Sequence, residues 1–174
     1  DIALDLHASP QVVDLLREGF DVALRQGRGQ WRGLQADRLV DSPLVALAAP
    51  AVAARLQGQP MQALADEPLL GDADTWQAWF ARAGLRPDVR PVAVFNDFGH
   101  MLQAAEQGIG IALARALLAA DALHDGRLVQ ISPLALQPPD DSSSTYWLVY
   151  PPDKADWPPL RALRDWLRRE MRAS

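Results

Sequence analysis

Hydrophobic positions along the chain follow two periods, one typical of strands and one typical of helices. Ile2, Leu4 and Leu6 alternate with polar residues, which predicts a half-buried strand. Apolar, β-branched or aromatic runs predict further extended segments, since such side chains suit a pleated, buried surface. These segments are residues 21–25, 39–47, 92–95, 109–113, 127–131 and 145–150.

The clearest predicted helix begins at Asp74. An acid at the N-cap with Gln77 three residues on is a capping-box pattern. Gly84, followed by Leu85, is typical of a left-handed helix end. The residues predicted to form one apolar stripe between these ends are Trp76, Trp79, Phe80 and Ala83.

Other helices are predicted by the same spacing and by their end signals. Residues 15–18 form a helical turn ended by Gly19, and Pro50 suits the first turn of a helix over 51–56. Residues 114–123 form another helix. The helix after Asn96-Asp97 carries Phe98, Met101, Leu102 and Ala105 on one face and ends at Gly108. The last helix, 157–171, has a predicted core face of Leu160, Leu163, Trp166 and Leu167.

Strands and helices therefore alternate along the chain. This order favours an α/β fold with mostly parallel sheets. Residues 137–144 are rich in Pro, Asp and Ser and have the composition of a linker.

Composition excludes several classes of protein. The chain has 174 residues, of which 49% are hydrophobic and 22% are charged, a globular composition. No apolar run approaches the ~20 residues that cross a bilayer. The absence of Cys excludes disulfide scaffolds and Cys-based zinc sites. A net charge of −5 is unfavourable for binding nucleic acid.

Familiar catalytic and cofactor motifs are absent from the sequence, so we expect no enzyme activity, no cofactor and no metal site. The glycines of residues 27–33 are spaced one residue too far apart for a dinucleotide-binding turn, and Trp31 stands where a helix should begin. A glycine-rich turn anchored by Trp31 is the favoured alternative. His7, His100 and His124 lie far from one another, which is unlike a metal site.

Two polar features each allow two interpretations. The last helix carries a basic stripe, which fits either an anionic partner or a solvent-exposed face with favourable charge near a helix C-terminus. The dipeptide Asn96-Asp97 lies where a strand meets a helix N-terminus, the place where open α/β sheets bind ligands. Asp97 could equally be the N-cap of its own helix. The stripe consists of Arg161, Arg164, Arg168 and Arg172, with Arg169 beside it.

Several segments together resemble a known family. Residues 18–27 read EGFDVALRQG, and Trp31 follows Arg25 by six positions. The other matching segments are Ala49-Pro50, 76–84, 95–97, AAEQGIGIALA at 104–114, GRLV at 126–129, YWLV at 146–149 and Trp166-Leu167. In order and spacing they resemble the effector-binding domain of LysR-type transcriptional regulators, in the branch of the glycine-cleavage activator and the β-lactamase-induction regulator.

The resemblance implies two Rossmann-like lobes, as in type 2 periplasmic binding proteins. Residues 1–43 and 146–174 would form lobe one, which would be discontinuous, and residues 44–145 would form lobe two. Family members bind a small effector between the lobes. The effector-binding residues carried over from the family are Asp14, Arg25, Gly27, Asn96, Asp97, Phe98 and Tyr146.

The resemblance also implies binding partners, and this sequence differs from the family in two segments. We expect a small polar effector (an amino acid, a peptide or a carboxylate), a homo-dimer or tetramer, a cytoplasmic location and no membrane association. DNA would be bound only through an N-terminal winged helix-turn-helix, which this sequence lacks. It also lacks the first strand-helix unit of lobe one. An extracytoplasmic solute-binding protein of the same fold is the alternative, and an enzyme or a nucleic-acid binder is less favoured.

Overall fold

The structure is a computed structural model that describes residues 2–9, 11–136 and 145–173. The chain divides into two units. Unit 1 consists of Asp1–Asp41 and Pro138–Ser174, and unit 2 of Ser42–Gln137. The lobe boundaries implied by the family resemblance stay a prediction, and the predicted linker over 137–144 lies outside the described residues.

Helices and strands follow one another along both units. The helices are α1 (Leu15–Glu18), α2 (Pro50–Leu56), α3 (Ala73–Arg82), α4 (Phe98–Glu106), α5 (Ala120–His124) and α6 (Pro158–Ala173). The strands are β1 (Ala23–Gln26), β2 (Gln35–Asp41), β3 (Leu44–Ala48), β4 (Leu69–Leu70), β5 (Ile111–Arg115), β6 (Val129–Leu136) and β7 (Thr145–Tyr150). Short 3₁₀ segments lie at Met61–Asp66, Ala116–Ala119 and Pro152–Lys154.

The sheet of unit 1 has the order β1-β7-β2, and both pairings are antiparallel. Helix α6 packs on this sheet by burying Leu160 and Leu167 against Leu148 and Tyr150. Trp166, predicted on the same face, is 47% exposed, so that prediction is wrong. It lies about 100° around the helix from Leu167, which turns it to the side of the contact.

A polar network also fastens α6 to the sheet. The Tyr150 hydroxyl and Arg164 Nη1 donate to the same carboxylate oxygen of Asp37, at 3.1 and 2.9 Å. Burial, followed by the bond to Asp37, raises the pKa of Tyr150, while the bond to Asp37 raises the pKa of Arg164. Arg164 therefore serves an internal contact, although the sequence places it in the basic stripe.

The predicted first strand is not formed. Residues 2–9 are irregular, and the side chains of Ile2, Leu4 and Leu6 are exposed. A strand requires a neighbour for its backbone hydrogen bonds, and the order β1-β7-β2 provides none for this segment. Alternation alone therefore does not establish a strand here.

The loop after β1 is packed by two indole rings. Trp147 Nε1 donates to the carbonyl of Gly27 at 2.7 Å, and the Trp147 ring lies against Gly29. A Cβ added to Gly29 would be 2.6 Å from ring atoms of Trp147, and one added to Gly27 would be 3.2 Å from Trp31. The loop is thus an anchored glycine turn, as the favoured sequence interpretation has it.

Gly29→Ala tests this packing, with Gly33→Ala as its matched control. Both glycines have nearly the same positive φ, 75° and 76°, but only Gly29 has the ring beside it. We expect Gly33→Ala to lower the free energy of unfolding by about 1 kcal/mol from backbone strain alone. Gly29→Ala should lose about 1–3 kcal/mol more from overpacking. Urea unfolding followed by circular dichroism measures both, and equal losses would contradict the ring contact.

In unit 2 the sheet has the order β4-β5-β3-β6. β3 runs antiparallel to both β5 and β6, and β4 runs parallel to β5. The expectation of mostly parallel sheets is therefore wrong for the pairings described, although the α/β class is confirmed. Alternation of strands and helices does not determine whether neighbouring strands run parallel or antiparallel. That depends on the edge at which each connection re-enters the sheet.

Two apolar clusters cover the faces of this sheet. On one face α3 buries Trp76, Trp79 and Phe80, whose ring centroids lie 5.2–5.8 Å apart. On the other, α4 buries three residues of its predicted stripe, Met101, Leu102 and Ala105. The stripe of α3 is confirmed except at Ala83, which is exposed.

Several element boundaries differ from the predictions. The segment 92–95 makes only an isolated bridge, Leu70 to Ala93, and its Val92 and Val94 are exposed, so it is not a buried strand. β4 is only two residues long, so it offers the segment 92–95 too few backbone groups to form a regular strand. The extended segment predicted over 39–47 is two strands, because the chain leaves one sheet at Asp41 and joins the other at Leu44. Residues 114–115 continue β5 instead of starting a helix.

Candidate functional site

A cavity of about 220 Å³ lies at one edge of the sheet of unit 2. Its walls include Leu70, at the carboxyl end of β4, and Leu113 and Arg115, at the carboxyl end of β5. Because β4 and β5 are parallel, these ends meet at the same edge. Open α/β sheets bind ligands at such an edge, where strands lead into helix N-termini.

Arg115 supplies the cavity with a buried cation. It is the last residue of β5, pairs with Leu44 of β3 and is 8% exposed. Its Nη1 donates to the carbonyl of Ser42 at 2.9 Å, while Ser42 Oγ accepts from the backbone N–H of Leu117. Arg115 was not among the site residues predicted from the sequence. The available signal was an Arg that directly follows the buried run 111–114.

The N-terminus of α3 forms a second wall. Its N-cap is Asp72, whose Oδ2 accepts from the N–H and the hydroxyl of Thr75, both at 2.9 Å. These bonds lower the pKa of Asp72, mainly through the backbone N–H. Trp76 lines the same wall and donates its Nε1–H to the carbonyl of Leu70 at 2.9 Å.

The prediction of Asp74 as the N-cap of α3 is wrong. Asp74 lies in the first turn of the helix, and the cap bonds go to Asp72. Asp72 and Asp74 both have the residue type preferred at a helix N-cap. Which of them caps the helix depends on whether its carboxylate reaches the backbone N–H three residues further along the chain. The end predicted at Gly84 is confirmed, since Leu85 donates back to the carbonyl of Phe80 at 3.0 Å.

The N-terminus of α4 forms a third wall and contains three predicted site residues. Asp97 is the N-cap, and its Oδ1 accepts from the N–H of His100 at 2.9 Å. Asp97 and Phe98 line the cavity, whereas Asn96 is exposed beside it. Asp97 is therefore confirmed as the N-cap of its own helix and also borders a cavity, while its contact with a ligand stays a prediction.

The remaining predicted site residues belong to unit 1. Asp14 is the N-cap of α1, and its Oδ1 accepts from the N–H groups of Leu16 and Arg17 at 3.2 and 3.3 Å. Arg25 donates to the carbonyl of Val13, and its guanidinium lies 5.8 Å from the ring centroid of Trp31. Burial lowers the pKa of Arg25, and the Asp14 carboxylate opposes that shift. Asp14 and Arg25 are thus electrostatic neighbours.

Gly27 and Tyr146 lie near each other at one end of the unit 1 sheet. The N–H of Gly27 donates to the carbonyl of Thr145 at 3.2 Å. Tyr146 pairs across β7 with Gln26 on one side and Val40 on the other, and its side chain is half-buried. Thr145, which was also not predicted, lies beside them and donates its hydroxyl to Asp41 Oδ1 at 2.6 Å.

The predicted residues therefore form two groups, one in each unit. Asp14, Arg25, Gly27 and Tyr146 belong to unit 1, and residues 96–98 to unit 2. Over the described ranges, no cluster of three or more His, Asp or Glu side chains is arranged to hold a metal ion. Within the same ranges, no helix combines the length and the apolar character needed to span a membrane.

Asp72→Ala tests the cap assignment, with Asp74→Ala as its control. We expect Asp72→Ala to lower the free energy of unfolding by about 1 kcal/mol at pH 7. Asp74→Ala should cost only a few tenths of a kcal/mol, through the helix dipole. Because the pKa of Asp72 is lowered on folding, its contribution is present above about pH 4 and is lost as pH falls through the folded-state pKa. Unfolding curves from pH 7 to pH 3 measure this, and the reverse ranking of the variants would refute the assignment.

Comparison with known proteins gives consistent matches along nearly the whole chain. The model of a family described as the LysR substrate binding domain matches residues 1–172. The HTH-type transcriptional activator AmpR of Pseudomonas aeruginosa is 36% identical over 172 residues, which cover 96% of this chain and 55% of that protein. A glycine cleavage system transcriptional activator homolog of Haemophilus influenzae is 32% identical over 156 residues, 88% of this chain and 50% of that protein.

Solved structures match in the same way. The effector domain of AmpR from P. aeruginosa has a TM-score of 0.72 at 36% identity, covering 93% of this chain and 77% of that one. The AmpR effector binding domain from Citrobacter freundii has a TM-score of 0.74 at 27% identity, covering 94% and 80%. The chain spans about half the length of the curated relatives it matches.

Proposed function

This chain belongs to the LysR substrate binding domain family, and we propose that it is the part of a bacterial transcriptional regulator that senses a small polar effector. The resemblance read from the residues and the expected type 2 periplasmic-binding-protein-like fold are confirmed by the family match and by the matching effector domains. Family membership favours a regulator over an extracytoplasmic solute-binding protein, since the relatives are transcriptional activators.

The observation that carries the proposal is the cavity of unit 2. It combines apolar walls with a buried cation, two carboxylates and two helix N-termini. Ligand sites in proteins are typically concave and mostly apolar, with a few polar groups that fix orientation. A binding role without chemical conversion fits a family of transcriptional regulators.

Within this proposal, the effector contacts of unit 2 are residues 96–98, and those of unit 1 are Asp14, Arg25, Gly27 and Tyr146. Asp14 offers a carboxylate and Arg25 a guanidinium, so unit 1 presents opposite charges close together. The effector is an amino acid, a short peptide or a related carboxylate, since each of these can meet both charges.

The full regulator is proposed to act in the cytoplasm as a homo-dimer or tetramer and to bind DNA through a winged helix-turn-helix, as the family resemblance implies. An effector would change the activity of the regulator only if it binds one conformation of the regulator more tightly than another. The coupling free energy of such effects is typically about 1–3 kcal/mol.

Val94→Trp tests the cavity, and Val92→Trp is the matched control. Both valines are exposed, at 74% and 61%, and lie two residues apart, but only Val94 lines the cavity. A metabolite panel of amino acids, dipeptides and small carboxylates is screened by thermal shift on the wild-type chain. We expect the best hit to lose at least tenfold in affinity with Val94→Trp and less than twofold with Val92→Trp, measured by calorimetry. Equal effects of both variants, or no hit in the panel, would contradict the proposal.

Asp14→Asn tests the contribution of unit 1. Asn caps a helix about as well as Asp, so the variant removes the charge and keeps the α1 cap. We expect the affinity for the same hit to fall about tenfold, the loss of one charge-assisted hydrogen bond. Glu18→Gln, in the same helix, should leave the affinity unchanged. Unchanged affinity with Asp14→Asn would remove Asp14 from the site.

A further inference from the structure

The last helix, α6, keeps part of its surface away from the sheet of unit 1. Leu160 and Leu167 are buried against that sheet. Arg161, Arg168 and Arg169 lie outside this contact and are exposed. Arg161 and Arg168 are seven residues apart, so they lie on the same side of the helix, two turns and about 10 Å apart along its axis. We call these three arginines the basic row.

The arginines of the basic row form no ion pair with any residue that the structure describes. Asp165 is four residues from both Arg161 and Arg169, yet it pairs with neither. Exposed arginines elsewhere do form such pairs, as Arg55 does with Glu67 at 2.7 Å. The guanidinium groups of the basic row are therefore available to a partner outside the chain.

Helix stability alone does not account for Arg161. Positive charge near a helix C-terminus is favourable, which accounts for Arg168 and Arg169 in the second half of α6. Arg161 is in the first turn, where the helix dipole disfavours a cation. An Arg that precedes an acid by four residues is also in the less favourable order for an ion pair. The interpretation of this stripe as a stabilised solvent-exposed face is therefore incomplete.

A row of cations suits an anion that is itself linear. Duplex DNA carries one phosphate about every 3.4 Å along each strand, so about 10 Å of the basic row can lie beside about three phosphates. Guanidinium groups bind phosphate oxygens in a bidentate manner. The net charge of −5 opposes such a partner. Exposed charges more than about 8 Å apart are largely screened at physiological ionic strength, however, so the charges of α6 itself decide the contact.

Two acids of α6 limit the strength of this contact. Asp165 and Glu170 are exposed on the same helix, which leaves a small excess of positive charge beside the three arginines. Such a surface binds an anion weakly unless another contact holds that anion close by. The HTH-type transcriptional activators that match this chain are about twice its length. In the proposed regulator, duplex DNA is bound by the same molecule, which favours DNA over an acidic protein as the partner.

We propose that the basic row of α6 contacts the phosphate backbone of duplex DNA without reading its sequence. The contact is a second and weaker one, in addition to that of the winged helix-turn-helix of the proposed regulator. The inference goes beyond effector sensing, because it assigns a partner to a surface that contains none of the predicted effector contacts.

Fluorescence anisotropy of a labelled duplex of about 25 base pairs and arbitrary sequence tests the inference on the 174-residue chain. We expect a Kd of roughly 10⁻⁴ M at 50 mM salt, the weak end of non-specific binding. Three phosphate contacts predict an affinity that falls about 40-fold between 50 and 200 mM salt, because each contributes about −0.9 to the logarithmic slope. A duplex of shuffled sequence should bind equally well.

Paired variants locate the contact on α6. Arg161→Gln/Arg168→Gln removes two charges from the basic row, and Arg82→Gln/Arg86→Gln removes two exposed charges from unit 2. Both double variants change the net charge equally. We expect the first to lower the affinity about tenfold at 50 mM salt and the salt slope by about 2, and the second to change the affinity less than twofold.

A variant of the acid in the row gives a result of the opposite sign. Asp165→Asn should raise the affinity for the duplex about threefold at 50 mM salt, because it removes the negative charge between the arginines. Asp66→Asn, at an exposed acid of unit 2, is its control and should change the affinity by less than half as much. Thermal melts check that each variant folds, and the Asp165 comparison decides the inference if the double variant of the row does not.

Three results would overturn the inference. The duplex could fail to bind at 50 mM salt, or the variants of the row and their controls in unit 2 could change the affinity equally. Poly-L-glutamate could also bind as tightly as the duplex at the same concentration of negative charge, which would indicate an acidic protein as the partner. None of these results affects the proposed effector-sensing function, which the Val94→Trp comparison tests separately.

Discussion

A buried guanidinium must be hydrogen-bonded, and this requirement organises one end of unit 2. Arg115 donates to the carbonyl of Ser42, the first residue of the unit, and Ser42 Oγ in turn accepts from the N–H of Leu117. Leaving a buried hydrogen-bonding group without its partner typically costs about 1–3 kcal/mol, and more where the group is charged. The start of β3 and the end of β5 are thereby held together where the cavity forms.

The aromatic core of unit 2 reaches the same cavity through Trp76. Its ring is fully buried beside Trp79 and Phe80, and its indole N–H donates to the carbonyl at the end of β4. Trp79 makes the corresponding bond to the carbonyl of Leu134 in β6, at 3.3 Å. Helix α3 is therefore tied to strands at both edges of the sheet, which fixes the position of its N-terminal Asp72.

Local signals in the sequence predicted the elements whose stabilisation is local. The cap at Asp97 and the helix end at Gly84 depend on contacts within about four residues, and both are confirmed. The stripe on α4 is confirmed at Met101, Leu102 and Ala105, whereas Phe98 is exposed. The predicted strand at Ile2–Leu6 and the buried strand at 92–95 failed because a strand depends on a distant partner, and neither segment has a full one.

The candidate site was predictable only in part, for a related reason. Residues 96–98 lie where an extended segment leads into the first residue of a helix, a pattern that is visible in the sequence. Arg115 and Asp72 become neighbours of these residues only when β5 pairs with β4 and α3 packs behind them. From the sequence alone, an Arg at the end of an apolar run can be either exposed beyond the strand or buried at its end. Tertiary packing decides between the two.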